Sequence, residues 1–175
     1  MKKRIYIKPG AIFEISLENS YYTYARALKD NAYAFYAVRY KQPEKNLTTI
    51  VSSPILFVTL VYKDSVKEHW QKIGFLRLEP TLLELPPMFS QDALQPNRFE
   101  IHYDDGTIKK ANKVEVIGLE RFAAWEAWAI AERLNDHFAG RKNQEVEEMR
   151  NPDLYLKNAK TYPERVKKLI EEANT

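Results

Sequence analysis

The chain has 175 residues with a formal charge of +3, 45% apolar residues and no cysteine. That length predicts one main domain with a core of its own. The absence of cysteine excludes disulfides, thiolate metal sites and thiol catalysis. Basic residues are spread along the chain apart from Lys2-Lys3-Arg4 and the C-terminal tail, so charge alone makes no case for nucleic acid. The opening MKKRIYIKPG has no apolar run after its basic residues, and no window approaches the roughly 20 apolar residues that span a bilayer. These features lead us to expect a cytoplasmic protein with no membrane partner.

Lys8-Pro9-Gly10 is a turn signal, and Ile12 to Leu17 then alternates, with Phe13, Ile15 and Leu17 on one face. Glu18-Asn19-Ser20 reads as a loop. Tyr21 to Leu28 reads as a second strand, with Tyr22, Tyr24, Arg26 and Leu28 opposite Thr23, Ala25 and Ala27. After the turn at Lys29-Asp30-Asn31, Ala32 to Tyr40 completes an antiparallel meander, folded as a curved sheet or a small open barrel. Ile55 to Tyr62 is the most apolar strand, and Asp64 is placed to cap a short helical turn ending at His69.

Trp70 to Phe89 combines Leu, Ile and Phe with one glycine and three of the nine prolines. Proline fixes φ and lacks an N–H, so this stretch predicts an ordered crossing between two halves of a domain rather than one regular element. Phe99 to Tyr103 and Thr107 to Lys110 flank Asp105-Gly106 as a later hairpin. One strong helix is expected from Trp125 to Ala139, with Phe122, Trp125 and Trp128 as the start of its apolar stripe and Gly140 as its stop; Trp125 and Trp128 read first as core packing, the alternative being an exposed aromatic anchor for a protein partner. Residues 141–175 are highly charged and read as a helical extension, with starts at Asn151-Pro152 and Tyr162-Pro163 and a marginal amphipathic helix at Glu164 to Ala173. The expected division is a domain at 1–140 and an extension at 141–175.

Chemistry-bearing motifs are sparse. No GxSxG, GxGxxG or Walker pattern is present, and three histidines in three separate elements lack metal-ligand spacing. His102 with Asp104 and Asp105 is more simply a strand and a hairpin turn. Glu120-Arg121 reads as a buried ion pair or a cap. Tyr22 and Tyr24, near Arg26, Arg39 and Lys29, offer a sheet face for stacking single-stranded bases, but too few basic residues surround them to favour nucleic acid. No cofactor is expected.

Several segments taken in order carry a resemblance. Lys8-Pro9-Gly10-x-x-Phe13-x-Ile15-x-Leu17 precedes Tyr22-x-Tyr24-x-Arg26-x-Leu28, Phe35-Tyr36 and Ser53-Pro54-Ile55-Leu56-Phe57. Trp70-x-x-Ile73-Gly74, Leu78-Glu79-Pro80, Pro86-Pro87-x-Phe89-x-Gln91-Asp92 and Gly118-Leu119-Glu120-Arg121 follow, and Trp125 and Arg133-Leu134 to Gly140 close the run. Over about residues 4 to 143 this series resembles the immunity protein 26 family of bacterial polymorphic toxin systems. The resemblance implies an α+β domain that binds and neutralises a cognate toxin in the cytoplasm. Within that reading Tyr21, Tyr22, Tyr40 and Trp70 are the expected surface anchors. The family grouping also includes a protein described as a phosphotriesterase, which implies a rival: a metal-dependent hydrolase using His69, His102 and Asp104. A small-barrel nucleic-acid binder is the third reading. The family supplies no catalytic residues to carry over, and Ala11 stands where relatives often have an acidic residue. The sequence leaves the oligomeric state open.

Overall fold

A computed structural model describes residues 7–154. The fold is α+β, built on two open sheets with no closed barrel. In chain order the elements are β1 (Ala11–Ser16), β2 (Tyr22–Ala27), β3 (Ala32–Tyr36), α1 (Leu47–Val51), β4 (Ile55–Val61), α2 (Lys63–His69) and β5 (Gln71–Phe75). These are followed by β6 (Met88–Gln91), β7 (Phe99–His102), β8 (Ile108–Ala111), α3 (Lys113–Val116), β9 (Glu120–Arg121), β10 (Ala124–Trp125), α4 (Ala127–Ala139) and α5 (Gln144–Arg150).

The first sheet has the order β10-β4-β3-β2-β1-β5, antiparallel except for the parallel β10–β4 pair. The predicted meander is therefore present. Its tightest turn places Asp30 and Asn31 at φ 54° and 60°, the double left-handed conformation whose twist suits a two-residue hairpin. Both faces of this sheet are covered. Phe13, Ile15, Ala25 and Phe35 pack against α4, Trp70 and Trp125. On the other face Ile12, Tyr24 and Tyr36 lie under α1, while Leu28, Ala32 and Ala34 lie under Leu78, Leu82 and Leu85 of the proline-rich crossing.

The crossing is anchored at two points. Arg26 is fully buried, and donates to Glu79 Oε2 at 2.7 Å and to the carbonyls of Leu76 and Arg77 at 3.0 and 2.5 Å. Gly10, at φ 99°, lets Leu76 approach so closely that a Cβ there would strike the Leu76 carbonyl and the Phe75 ring. The first part of the stretch, read as irregular, is in fact β5, an edge strand against β1.

The second sheet has the order β8-β7-β6-β9, with Phe89, Phe99, Ile101 and Val116 as its small core. The predicted hairpin is β7–β8, closed by Gly106 at φ 85° and by a hydrogen bond from Thr107 N–H to Asp105. Residues 120–125 stitch the sheets together, because β9 runs parallel to β6 and β10 runs parallel to β4. Glu120 accepts both guanidinium nitrogens of Arg133, at 2.7 and 3.1 Å, and the pair is almost wholly buried.

The long helix begins two residues later than its periodicity suggests. Ser65 Oγ accepts the Ala127 N–H at 2.8 Å and Glu126 is extended, so Trp125 remains in β10. The helix stops as expected, with Gly140 left-handed at φ 66°. Of the charged extension, α5 packs Val146 and Met149 on the main core, and Arg121 donates Nε to the Met149 carbonyl at 2.7 Å. A helical turn begins at Pro152. The starts expected at Tyr162-Pro163 and the helix at Glu164 to Ala173 lie outside the described residues.

Candidate functional site

Three of the four expected anchors meet. Tyr22 and Tyr40 exchange backbone hydrogen bonds of 2.8 and 2.9 Å, and Tyr21 lies beside them. The Arg39 guanidinium stands 4.5 Å from the Tyr21 ring centre and the Lys41 ammonium 5.6 Å. This is a half-buried tyrosine patch already capped by cations. Trp70 does not join it. Only 7% exposed, it packs edge-on against Tyr33 and Phe35 at 5.5 and 5.7 Å and belongs to the core. It stands in extended backbone at the C-terminal end of α2, directly before edge strand β5. Arg26, counted among the basic residues near Tyr22, is also interior.

The residues of the hydrolase reading are held by separate partners. His69 ends α2 with Nδ1 3.0 Å from the Ser65 carbonyl. His102 Nε2 lies 2.8 Å from Ser90 Oγ, and its ring stacks on Phe122 at 4.5 Å. Asp104 sits 2.5 Å from Lys29 Nζ. His102 and Asp104 line one hollow and His69 another. Among the described residues no group of three His, Cys, Asp or Glu side chains is placed to hold a metal ion. The Ser90–His102 contact has the spacing of a nucleophile and base, but the ring is oriented by Phe122, and Asp104 is committed to Lys29.

A different surface gathers along the seam between the sheets. One hollow of about 310 Å³ has Leu60, Leu85 and Met88 in its walls and Tyr103, Ile108 and Phe122 at its rim. Beyond the Asp30-Asn31 turn a shallower hollow is lined by Tyr62, Trp128 and the carboxylates Asp64, Glu68 and Glu126. The two adjoin through the backbone, since Val61 donates to Asn31 and Tyr62 donates to Trp125. Tyr62, Phe122 and Trp128 are 54%, 51% and 49% exposed, unusual for side chains of this size. Sequence reasoning placed an exposed aromatic anchor at Trp125 and Trp128 second to core packing, because Phe122, Trp125 and Trp128 read first as one helical stripe, and it did not single out Tyr62. Only Trp125 of the three is interior. The available signal was Glu126, a polar residue between tryptophans that points outward with Trp128.

Titration follows the packing on both faces of the first sheet, with Tyr24 and Tyr36 on the α1 face and Tyr33 on the α4 face. Burial pushes the Tyr24 hydroxyl up to about 12 and raises Tyr33 and Tyr36 as well. Burial also raises Glu14, against the pull of its hydrogen bond with Tyr24. These groups are interior supports and line neither surface hollow.

The chain is thus an α+β domain of two open sheets, with exposed Tyr62, Phe122 and Trp128 gathered at their junction. It belongs to the immunity protein 26 family, whose model matches residues 8–100, just over half the chain. Membership implies an immunity protein directed against a toxin, and hence a cognate toxin as partner. The match takes in the first sheet up to β5, the crossing, β6 and the start of β7, while the Gly118-Leu119-Glu120-Arg121 segment lies beyond it. Comparison with curated proteins returns no match, and comparison with solved structures returns none. Among the described residues, no helix is long and apolar enough to cross a membrane.

Proposed function

We propose that this protein neutralises its toxin by binding it directly, acting in the cytoplasm of the cell that makes it. The observation that carries this reading is the family match on a domain that exposes large aromatic side chains while His69, His102 and Asp104 remain committed to separate local partners. Inhibition by complementarity needs a stiff scaffold and a few anchors, and it asks for no assembled nucleophile or ligand set. The first sheet, covered on both faces, supplies such a scaffold.

The test is co-expression. Each toxin domain encoded beside this chain's gene is induced in a sensitive host with and without the protein. Growth restored against one of them, together with a complex that co-purifies, is the expected result. Failure to protect against every neighbouring toxin would overturn the reading.

A further inference from the structure

We infer that the toxin is held at the seam between the two sheets, on the face formed by Tyr62, Trp128 and Phe122 around the Asp30-Asn31 turn, and that the toxin presents a basic surface there. The inference rests on the immunity reading and adds the location and the chemistry of the partner. Three observations carry it.

First, Tyr62 and Trp128 on this face carry no ring stack or cation from a described residue, and Phe122, though stacked on His102, stays 51% exposed. The Tyr21 ring is covered by Arg39 and Lys41, and Trp70 is inside the core. Tyr62 and Trp128 instead stand half out of the surface on either side of a shallow hollow. Exposed Trp and Tyr side chains grouped in this way are the residue types that dominate interface energetics, because they bury large rigid areas at little entropic cost.

Second, the charge on this face is one-sided. The residues lining the two adjoining hollows include the carboxylates Asp30, Asp64, Glu68, Asp104 and Glu126 against a single lysine, Lys63. Lys29 answers Asp104, and Lys67 answers Asp64 at 3.1 Å, but no salt bridge joins Asp30, Glu68 or Glu126 to a described residue. Residues 7–154 hold 19 Lys and Arg against 21 Asp and Glu, so the described part of the chain is weakly acidic although the whole chain is basic. An acidic rim around an apolar centre steers a basic partner and repels an acidic one.

Third, the face is built on rigid supports. Tyr62 donates its N–H to Trp125, Ala127 donates to Ser65, and Asn31 accepts from Val61, so β4, α2, α4 and the hairpin turn are bonded together directly beneath it. Anchors on such a frame lose little freedom when they are buried.

The probe is the toxin domain encoded beside this chain that the wild-type protein protects against, purified in a catalytically disabled form. Three variants are compared by calorimetric titration and by growth rescue: Tyr62→Ser with Trp128→Ser; Glu68→Lys with Glu126→Lys; and, on the tyrosine patch, Arg39→Glu with Lys41→Glu. We expect the first pair to raise Kd by about a hundredfold. The charge reversal should slow association at least tenfold in low salt and much less in high salt. The Arg39 and Lys41 pair should bind as the wild type does. Circular dichroism melts of each variant separate lost binding from lost folding. Should a face variant unfold, the single substitutions Trp128→Gln and Glu126→Lys take its place. If the folded seam variants bind and protect like the wild type, or if only the Arg39 and Lys41 pair fails, the location is wrong while the immunity reading stands. If the wild type protects against no neighbouring toxin, both fall.

Discussion

The two sheets differ in how completely they are closed, and the difference separates support from contact. The first sheet is buried on both faces, under α4 on one side and under α1 and the crossing on the other. Even its fully buried charged residue, Arg26, is spent internally on Glu79 and two carbonyls. The second sheet has four core residues, and its outer strand β8 leaves Ile108 exposed. An antiparallel sheet normally keeps one face in water. The first sheet departs from that because a proline-rich segment takes the place of solvent. Tyr62, Phe122 and Trp128 are left exposed where the closed sheet meets the open one.

The largest effect is expected at Arg26. Arg26→Ala removes three hydrogen bonds, leaves two inward carbonyls without their donor and opens a cavity, at a cost of about 4 kcal/mol in urea unfolding. Gly10→Ala comes next, at about 3 kcal/mol, because it combines a positive φ with a collision against the Leu76 carbonyl. Ile108→Ser in the second sheet should change stability by no more than about 0.5 kcal/mol. A comparable loss from Ile108→Ser and Arg26→Ala would break the contrast between the sheets.

Two pH limbs sharpen the same contrast. Burial raises Tyr24, Tyr33 and Tyr36 above the ordinary tyrosine value of 10.0. The unfolded chain therefore loses those protons first, and stability should fall as pH rises past 10. Absorbance at 295 nm should show these tyrosines ionising together with unfolding, and early titration of all eleven would contradict a first sheet closed on both faces. The acid limb is smaller. Burial pushes Glu79 upward, but the hydrogen bond and charge of Arg26 outweigh it and hold the carboxyl below 4.5. A lowered carboxylate stabilises the fold above its unfolded value, and that contribution is lost as pH falls. Glu79→Gln should therefore flatten the decline in melting temperature below pH 4.5, whereas Glu14, raised by burial, works in the opposite sense.

Much of this architecture could be read from residue patterns. Phe13, Ile15 and Leu17 alternate because one face of β1 meets the core, Asp105-Gly106 closes a hairpin, and Gly140 ends α4. The strands at 120–121 and 124–125 could not be read, since two residues carry no periodicity and their parallel partners are distant in the chain. Strand β5 was hidden inside a segment dominated by prolines. Arg26 looked like a surface cation because composition does not show that Glu79 comes to meet it. The seam surface was the least legible feature. Tyr62, Phe122 and Trp128 are ordinary apolar residues in sequence, and only the junction of two sheets makes them neighbours in the open.

The most direct test of this division is hydrogen exchange on the complex with the toxin domain against which the protein protects. Slowed exchange at Asp30-Asn31, Tyr62 to Glu68 and Phe122 to Trp128, with the rest of the first sheet already slow in the free protein, is the predicted result. Protection confined to Tyr21-Tyr22 and Tyr40-Lys41, with the seam unchanged, would contradict it.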